Sequence, residues 1–125
     1  MNKKNTYVSI GVAVLLILAI WVMYFLNNKP QQVGMLDEFA KCLTEKGAVM
    51  YGTVSCSYCK AEKDSFGSSF QFIKYVECSE DTELCTNERI DGVPTWKIGG
   101  MVYEGLQGLQ KLSELSSCPL PVSEK

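Results

Sequence analysis

The chain contains no histidine. It has one closely spaced cysteine pair, Cys56-Ser57-Tyr58-Cys59, and the other four cysteines (Cys42, Cys78, Cys85 and Cys118) supply no second CxxC. A structural zinc knuckle normally needs a second close pair of ligands, so these two absences speak against a metal site. There is no basic excess either. Twelve Lys and Arg stand against fourteen Asp and Glu, for a net charge of −2, and nothing forms the basic patch that nucleic-acid binding requires. Internal repeats and low-complexity tracts are absent, which leaves out repeat architectures. Charge, finally, is missing from the whole of Tyr7–Leu26.

That uncharged run is 20 residues long. As a helix it would span about 30 Å, the hydrocarbon thickness of a bilayer. A cleavable signal peptide is the alternative, but its apolar core is usually shorter and ends in small residues. Here the run closes on Trp21-Val22-Met23-Tyr24-Phe25-Leu26 with no Ala-x-Ala. An uncleaved single transmembrane helix over 7–26 is therefore expected, with Tyr7, Trp21 and Tyr24 suited to the interfaces. Lys3, Lys4 and the terminal amine precede the run, and Lys29 follows it. The positive-inside rule then puts residues 1–6 in the cytoplasm and the remainder outside the cell membrane, in a periplasmic or extracellular space. Six cysteines in a small domain fit that oxidising side. Residues 27–34 read as a polar linker containing Pro30. About 90 residues remain beyond it, enough for one compact core, with the domain placed at 35–119 and a tail at 120–125.

Within that domain Leu36, Phe39, Ala40 and Leu43 fall at helical spacing, Asp37 and Glu38 lie in the first turn, and Gly47 is placed to end the helix. Ala48 to Val54 reads as a buried strand. Lys60 to Phe66 is charged and fit for a helix, which Gly67 and two serines end. Phe72 to Cys78 is aromatic and β-branched, a second strand. Ser79 is positioned to cap a helix reaching about Arg89, which Asp91-Gly92 breaks. Thr95–Ile98 and Met101–Tyr103 flank Gly99-Gly100, a two-residue hairpin signal. Leu106, Leu109, Leu112 and Leu115 predict a closing helix with a core stripe. Strands joined through helices pair in parallel and the hairpin adds antiparallel strands, so the fold class is α/β: a small mixed β-sheet with helices on both faces.

The CxxC stands where the first strand meets the second helix of this domain. There the unpaired N–H groups and the helix dipole favour a thiolate at Cys56, and Cys59 lies one turn on, within reach of a disulfide. Cys56 is the expected attacking residue and Cys59 the resolving one. A purely structural disulfide is the alternative, but so short a loop constrains the unfolded chain little.

This order, with CxxC opening a helix and Val93-Pro94-Thr95 before the hairpin, resembles the thioredoxin superfamily. The resemblance implies a thioredoxin-like fold and a cis Val93–Pro94 bond beside the dithiol; the alternative is an ordinary trans turn proline. It also matches Gly105 to a late glycine of the family. From Leu36 to Cys118 the chain is further similar to the thioredoxin-like domain attached to bacterial and plant vitamin K epoxide reductase homologues. The residues that carry this are Phe39 to Ala48, Met50-Tyr51-Gly52, Tyr75-Val76-Glu77-Cys78, Pro94-Thr95-Trp96 and Tyr103-Glu104-Gly105. That likeness implies disulfide exchange with a quinone-linked, vitamin K epoxide reductase-like membrane partner. The partner's four-helix domain is absent from this chain. The residues flanking and inside the CxxC (Val54-Ser55 and Ser57-Tyr58) also depart from the usual aromatic or proline, so no redox potential carries over. Cytosolic thioredoxins carry a buried Asp where Met50 stands here.

With Cys56 and Cys59 as the active pair, three pairings of the other four cysteines are open. Cys78–Cys85 is favoured because the two lie only seven residues apart. Cys42–Cys118 is favoured because one sits on the first helix of the domain and the other just past the last. The second bond would close a loop of about 77 residues and contribute roughly 3–5 kcal/mol. Cys78–Cys85 has a second reading as a redox relay. The expected function is a membrane-anchored extracytoplasmic thiol–disulfide oxidoreductase acting on protein thiols and disulfides, without metal or cofactor. Oxidation or isomerisation is its first reading and reduction the alternative. Val93, Pro94, Ser57 and Tyr58 are the expected substrate-binding residues. A non-catalytic binding module that keeps the fold is the competing class.

Overall fold

The computed structural model describes residues 3–27 and 34–122. Most of the expected 27–34 linker, residues 1–2 and the last three residues of the tail lie outside these. The chain divides into two compact units, Met1–Gln32 and Val33–Lys125.

The first unit is helix α1, Lys3–Asn27. Its segment Tyr7–Leu26 has a mean hydropathy of 2.6, carries no charge and is apolar on every side. A helix that is apolar all round needs an apolar surrounding rather than a one-sided core contact. By length and composition it can cross a membrane.

The second unit is a mixed α/β domain built on a four-stranded sheet. Helix α2 spans Asp37–Glu45 and buries Phe39, Ala40 and Leu43. It starts one residue later than the leucine-led stripe implies, because the Asp37 carboxylate turns back to accept from the Gly34 N–H (2.9 Å). Gly47, at φ 76°, ends it in the left-handed conformation that a Cβ would oppose. Strand β1, Val49–Gly52, then runs through the middle of the sheet. Helix α3, Ser57–Phe66, follows, and a 3-10 turn occupies Gly67–Phe72. Strand β2, Lys74–Glu77, pairs parallel with β1. The second strand is therefore shorter than its composition predicts. Phe72 is drawn into the 3-10 turn, where its carbonyl accepts from the Thr44 hydroxyl (2.7 Å).

Helix α4 is Thr82–Asn87, shorter at both ends than expected. Asp81, not Ser79, is its cap: the Asp81 carboxylate accepts from the Leu84 N–H (3.1 Å), while the Ser79 hydroxyl is spent on Glu77. At the far end Arg89 turns left-handed at φ 58°, and the Ile90 N–H closes on the Cys85 carbonyl. Strands β3 (Thr95–Ile98) and β4 (Met101–Glu104) form the hairpin across Gly99-Gly100, and β3 also pairs antiparallel with β1. The sheet order is thus β2-β1-β3-β4. Helix α5, Gly108–Ser116, closes the domain. It begins after Leu106, which is exposed and leaves the leucine stripe; Leu112 alone of that stripe is fully buried.

Alternation along the strands sorts the two faces. Met50 and Trp96 are register partners, both fully buried, and cluster with Phe39, Leu43, Phe66, Ile98 and Leu112 from the sheet and from α2, α3 and α5. The Phe39 and Phe66 rings stack at 5.9 Å. The opposite face carries Tyr51, Thr95 and Lys97. The end of α4 reaches it through the Glu88–Lys97 ion pair.

Candidate active site

Strand β1 stops at Gly52 because the chain turns there, with the Cys56 N–H bonding the Thr53 carbonyl. Cys56 takes extended backbone angles (φ −85°, ψ 112°) and is the N-cap of α3. Its Sγ occupies the place where a Ser or Asp oxygen usually sits and accepts from the Cys59 N–H at 3.1 Å. Both the capping N–H and the helix dipole stabilise negative charge on that sulfur. No acidic residue stands in the first turn of α3 to oppose them. Cys56 is half-buried and Cys59 fully buried. The two form a disulfide with their Cα atoms 5.2 Å apart. One residue of the pair is thus partly open to solvent and the other is sealed. Ser57 and Tyr58 lie between them on the outer side of the first turn, and Tyr58 is exposed.

The Val93–Pro94 bond is cis. Tyr51 pairs with Thr95, so one step further along the two strands brings Pro94 level with Gly52, at the end of the sheet where the chain leaves for Cys56. Pro94 is buried and its carbonyl accepts from the Gly105 N–H at 2.7 Å; Val93 is half-buried.

Residues to which the sequence reading assigns no role at the site complete the surroundings. A Cβ at Gly52 would stand 3.1 Å from the Cys59 Sγ and 3.1 Å from the Tyr75 hydroxyl, so any larger residue would press on both. The Tyr75 hydroxyl donates to Glu77 at 2.6 Å. Desolvation first, then that bond to a carboxylate, raises the tyrosine above its ordinary ionisation range. Glu77 is held below the usual carboxylate value by the Ser79 hydroxyl first and the Tyr75 hydroxyl second. It also receives the Val54 N–H (3.2 Å) and so ties the turn that enters the CxxC to β2.

No acid stands at Met50, but Glu62, one turn beyond Cys59, is a buried carboxylate at 1% exposure. It accepts from the Gln107 and Gly108 N–H groups at 2.8 and 2.9 Å, fastening α3 to the start of α5. The spacing Cys59, Glu62, Phe66 is that of a single helix face, and this was the signal available for it in the sequence.

The remaining cysteines pair as Cys42–Cys118, with Cα atoms 5.9 Å apart, and Cys78–Cys85, at 5.7 Å. The first ties α2 to the segment after α5, and the second ties the end of β2 to α4. Among the described residues no group of three or more metal-ligating side chains comes together.

Fold and site together define a class: a small α/β domain with a closed dithiol pair at the head of a helix. No family model matches the chain. Among curated proteins it is similar to the thiol-disulfide oxidoreductase LTO1 of Arabidopsis thaliana. The two are 36% identical over 90 residues, covering 65% of this chain and 24% of the relative. The chain therefore spans about a quarter of the length of that relative.

Proposed function

We propose that the second unit is a thioredoxin-like domain and that the chain is a protein thiol–disulfide oxidoreductase working through Cys56 and Cys59. The observation that carries this is the asymmetry of the pair. The sulfur of half-buried Cys56 caps α3 and receives a backbone N–H, while its partner Cys59 is fully buried. The name of the plant relative supports the same chemistry.

In the reducing direction the Cys56 thiolate attacks a substrate disulfide, forms the Cys56–substrate bond and releases one substrate thiolate. Cys59 then gives up its proton, which the released substrate thiolate takes, and attacks the Cys56 sulfur, and the second substrate thiolate departs. Two electrons pass to the substrate and the Cys56–Cys59 disulfide closes. Oxidation runs the same steps backwards. Val93, Pro94, Ser57 and Tyr58 border the reactive sulfur in this reading and hold the substrate chain.

Helix α1 serves as a membrane anchor, with the domain outside the cytoplasm. The Cys42–Cys118 and Cys78–Cys85 bonds favour such an oxidising side and, with it, oxidation or isomerisation coupled to a quinone-linked, vitamin K epoxide reductase-like partner.

Trapping tests the assignment. Cys59→Ser should accumulate mixed disulfides through Cys56 and Cys56→Ser should accumulate none; equal trapping by both would overturn the roles. The reduction potential of the pair decides direction: about −120 to −180 mV marks an oxidase or isomerase and about −270 mV a reductase. A membrane-impermeant thiol reagent applied to reduced, intact cells should label Cys56. Labelling only after lysis would place the domain inside.

A further inference from the structure

The surroundings of Cys59 assign it a protonation state; this rests on the reading of Cys56 and Cys59 as an exchanging pair. The Cys59 Sγ and the Tyr75 hydroxyl both come within 3.1 Å of the point where a Cβ on Gly52 would sit. The sulfur of α3 and the phenol oxygen of β2 thus converge on the same point over Gly52, where a methyl would be crowded by both. The single proton of that phenol is committed to Glu77 at 2.6 Å, so toward Cys59 its oxygen can only accept. Beyond it stands the Glu77 carboxylate, kept ionised by the Ser79 hydroxyl and N–H and the Val54 N–H. In the reduced pair a thiol at Cys59 would face an acceptor in the phenol oxygen, whereas a thiolate would face no donor from Tyr75 and the Glu77 charge behind it.

We propose that Tyr75 and Glu77 are a positioning pair that holds Cys59 as a neutral thiol in the reduced form, leaving Cys56 as the thiolate that attacks. The other charged groups at this end of the sheet do not cancel the effect. Glu62, from the same helix as Cys59, is turned to the N–H groups of α5. Lys63 lies with its ammonium 3.5 Å from the centre of the Tyr75 ring and partly offsets the Glu77 charge. Glu80, in the loop after β2, adds a further negative charge acting on Tyr75.

The test uses the full chain in detergent with Cys56→Ser. The Cys42–Cys118 and Cys78–Cys85 bonds stay closed, so Cys59 is the one free thiol. Its ionisation is followed by the 13C shift of its Cβ. The midpoint should lie above the ordinary thiol value of about 8.5. Adding Glu77→Gln should lower it by about one pH unit, a tenfold rise in thiolate at a given pH. Adding Tyr75→Phe, which keeps the ring against Lys63 and Phe70 but removes the acceptor, should move it the same way. Lys63→Met should move it oppositely. Tyr75→Phe decides the matter if Glu77→Gln fails to fold. A purely structural role would lower stability without moving the midpoint. A midpoint that is unmoved or raised in the folded Glu77→Gln or Tyr75→Phe variant overturns the proposal. Turnover of a protein disulfide by the unaltered chain tests the exchange reading separately, since the Cys59 titration needs no turnover.

Discussion

Replacing Glu62 tests whether the CxxC helix is held in place by a buried charge. Its two oxygens accept the Gln107 and Gly108 N–H groups, which are the first donors of α5 and have no partner within that helix. Hydrogen bonds to an ionised acceptor contribute about 1.5–3 kcal/mol each. Both N–H groups are half-buried, so water can recover part of the loss in Glu62→Ala. The expected destabilisation is about 3 kcal/mol, a large share of the roughly 5–15 kcal/mol that holds a domain folded. Glu62→Gln keeps one acceptor and turns an amide N–H₂ toward the other donor, so it should fall between the parent and Glu62→Ala. The chain has two tryptophans, Trp21 in α1 and Trp96 in the core, so a Trp21→Phe background makes Trp96 the sole reporter. Urea unfolding in detergent should show the midpoint shift down at constant m. A Glu62→Ala variant within about 0.5 kcal/mol of the background would refute the reasoning, because it would mean the carboxylate clamp carries no net stability.

Three further outcomes follow from other features. Opening Cys42–Cys118 by paired Ala substitutions releases a loop with a sequence separation of 76, and should cost about 4 kcal/mol; opening Cys78–Cys85, with a separation of 7, should cost about 2–3 kcal/mol, both read from denaturation midpoints. Gly52→Ala drives a Cβ against the Cys59 sulfur and the Tyr75 hydroxyl, so disulfide turnover should fall along with a stability loss of about 1–3 kcal/mol; full activity would mean that the close approach is not needed. Glu77 ionises below its ordinary value of 4.5, so it adds stability that is present above that value and disappears as pH falls through its depressed one. Stability curves of the parent and Glu77→Gln should accordingly converge below pH 4.5, and a constant separation down to strong acid would contradict the Glu77 network.

What the amino-acid order determined by itself is what depends on neighbours along the chain. The uncharged stretch Tyr7–Leu26 forms a helix because its composition leaves no alternative at that length, and Phe39, Ala40 and Leu43 face one way because helical periodicity puts them there. Gly99-Gly100 turns the hairpin because both residues take positive φ. Cys56 at the head of α3 was legible for the same reason, as a cysteine at a junction between an apolar run and a charged helix. Tertiary structure decided whatever depends on partners distant in sequence. Ser79 had the chemistry of a cap, but Glu77 claimed its hydroxyl and Asp81 capped α4 instead. Phe72 had the composition of a strand, but the contact with Thr44 kept it in a 3-10 turn. Leu106 matched a stripe that the clamp between Glu62 and the start of α5 cut short. Of the three ways to pair the outer cysteines, the choice rests on which ends of the fold meet: the segment after α5 returns to α2. Gly52, Tyr75 and Glu77 stood in the sequence only as parts of strands, and their relation to Cys59 exists only once β2 lies parallel beside β1 and brings a phenol to the point over Gly52.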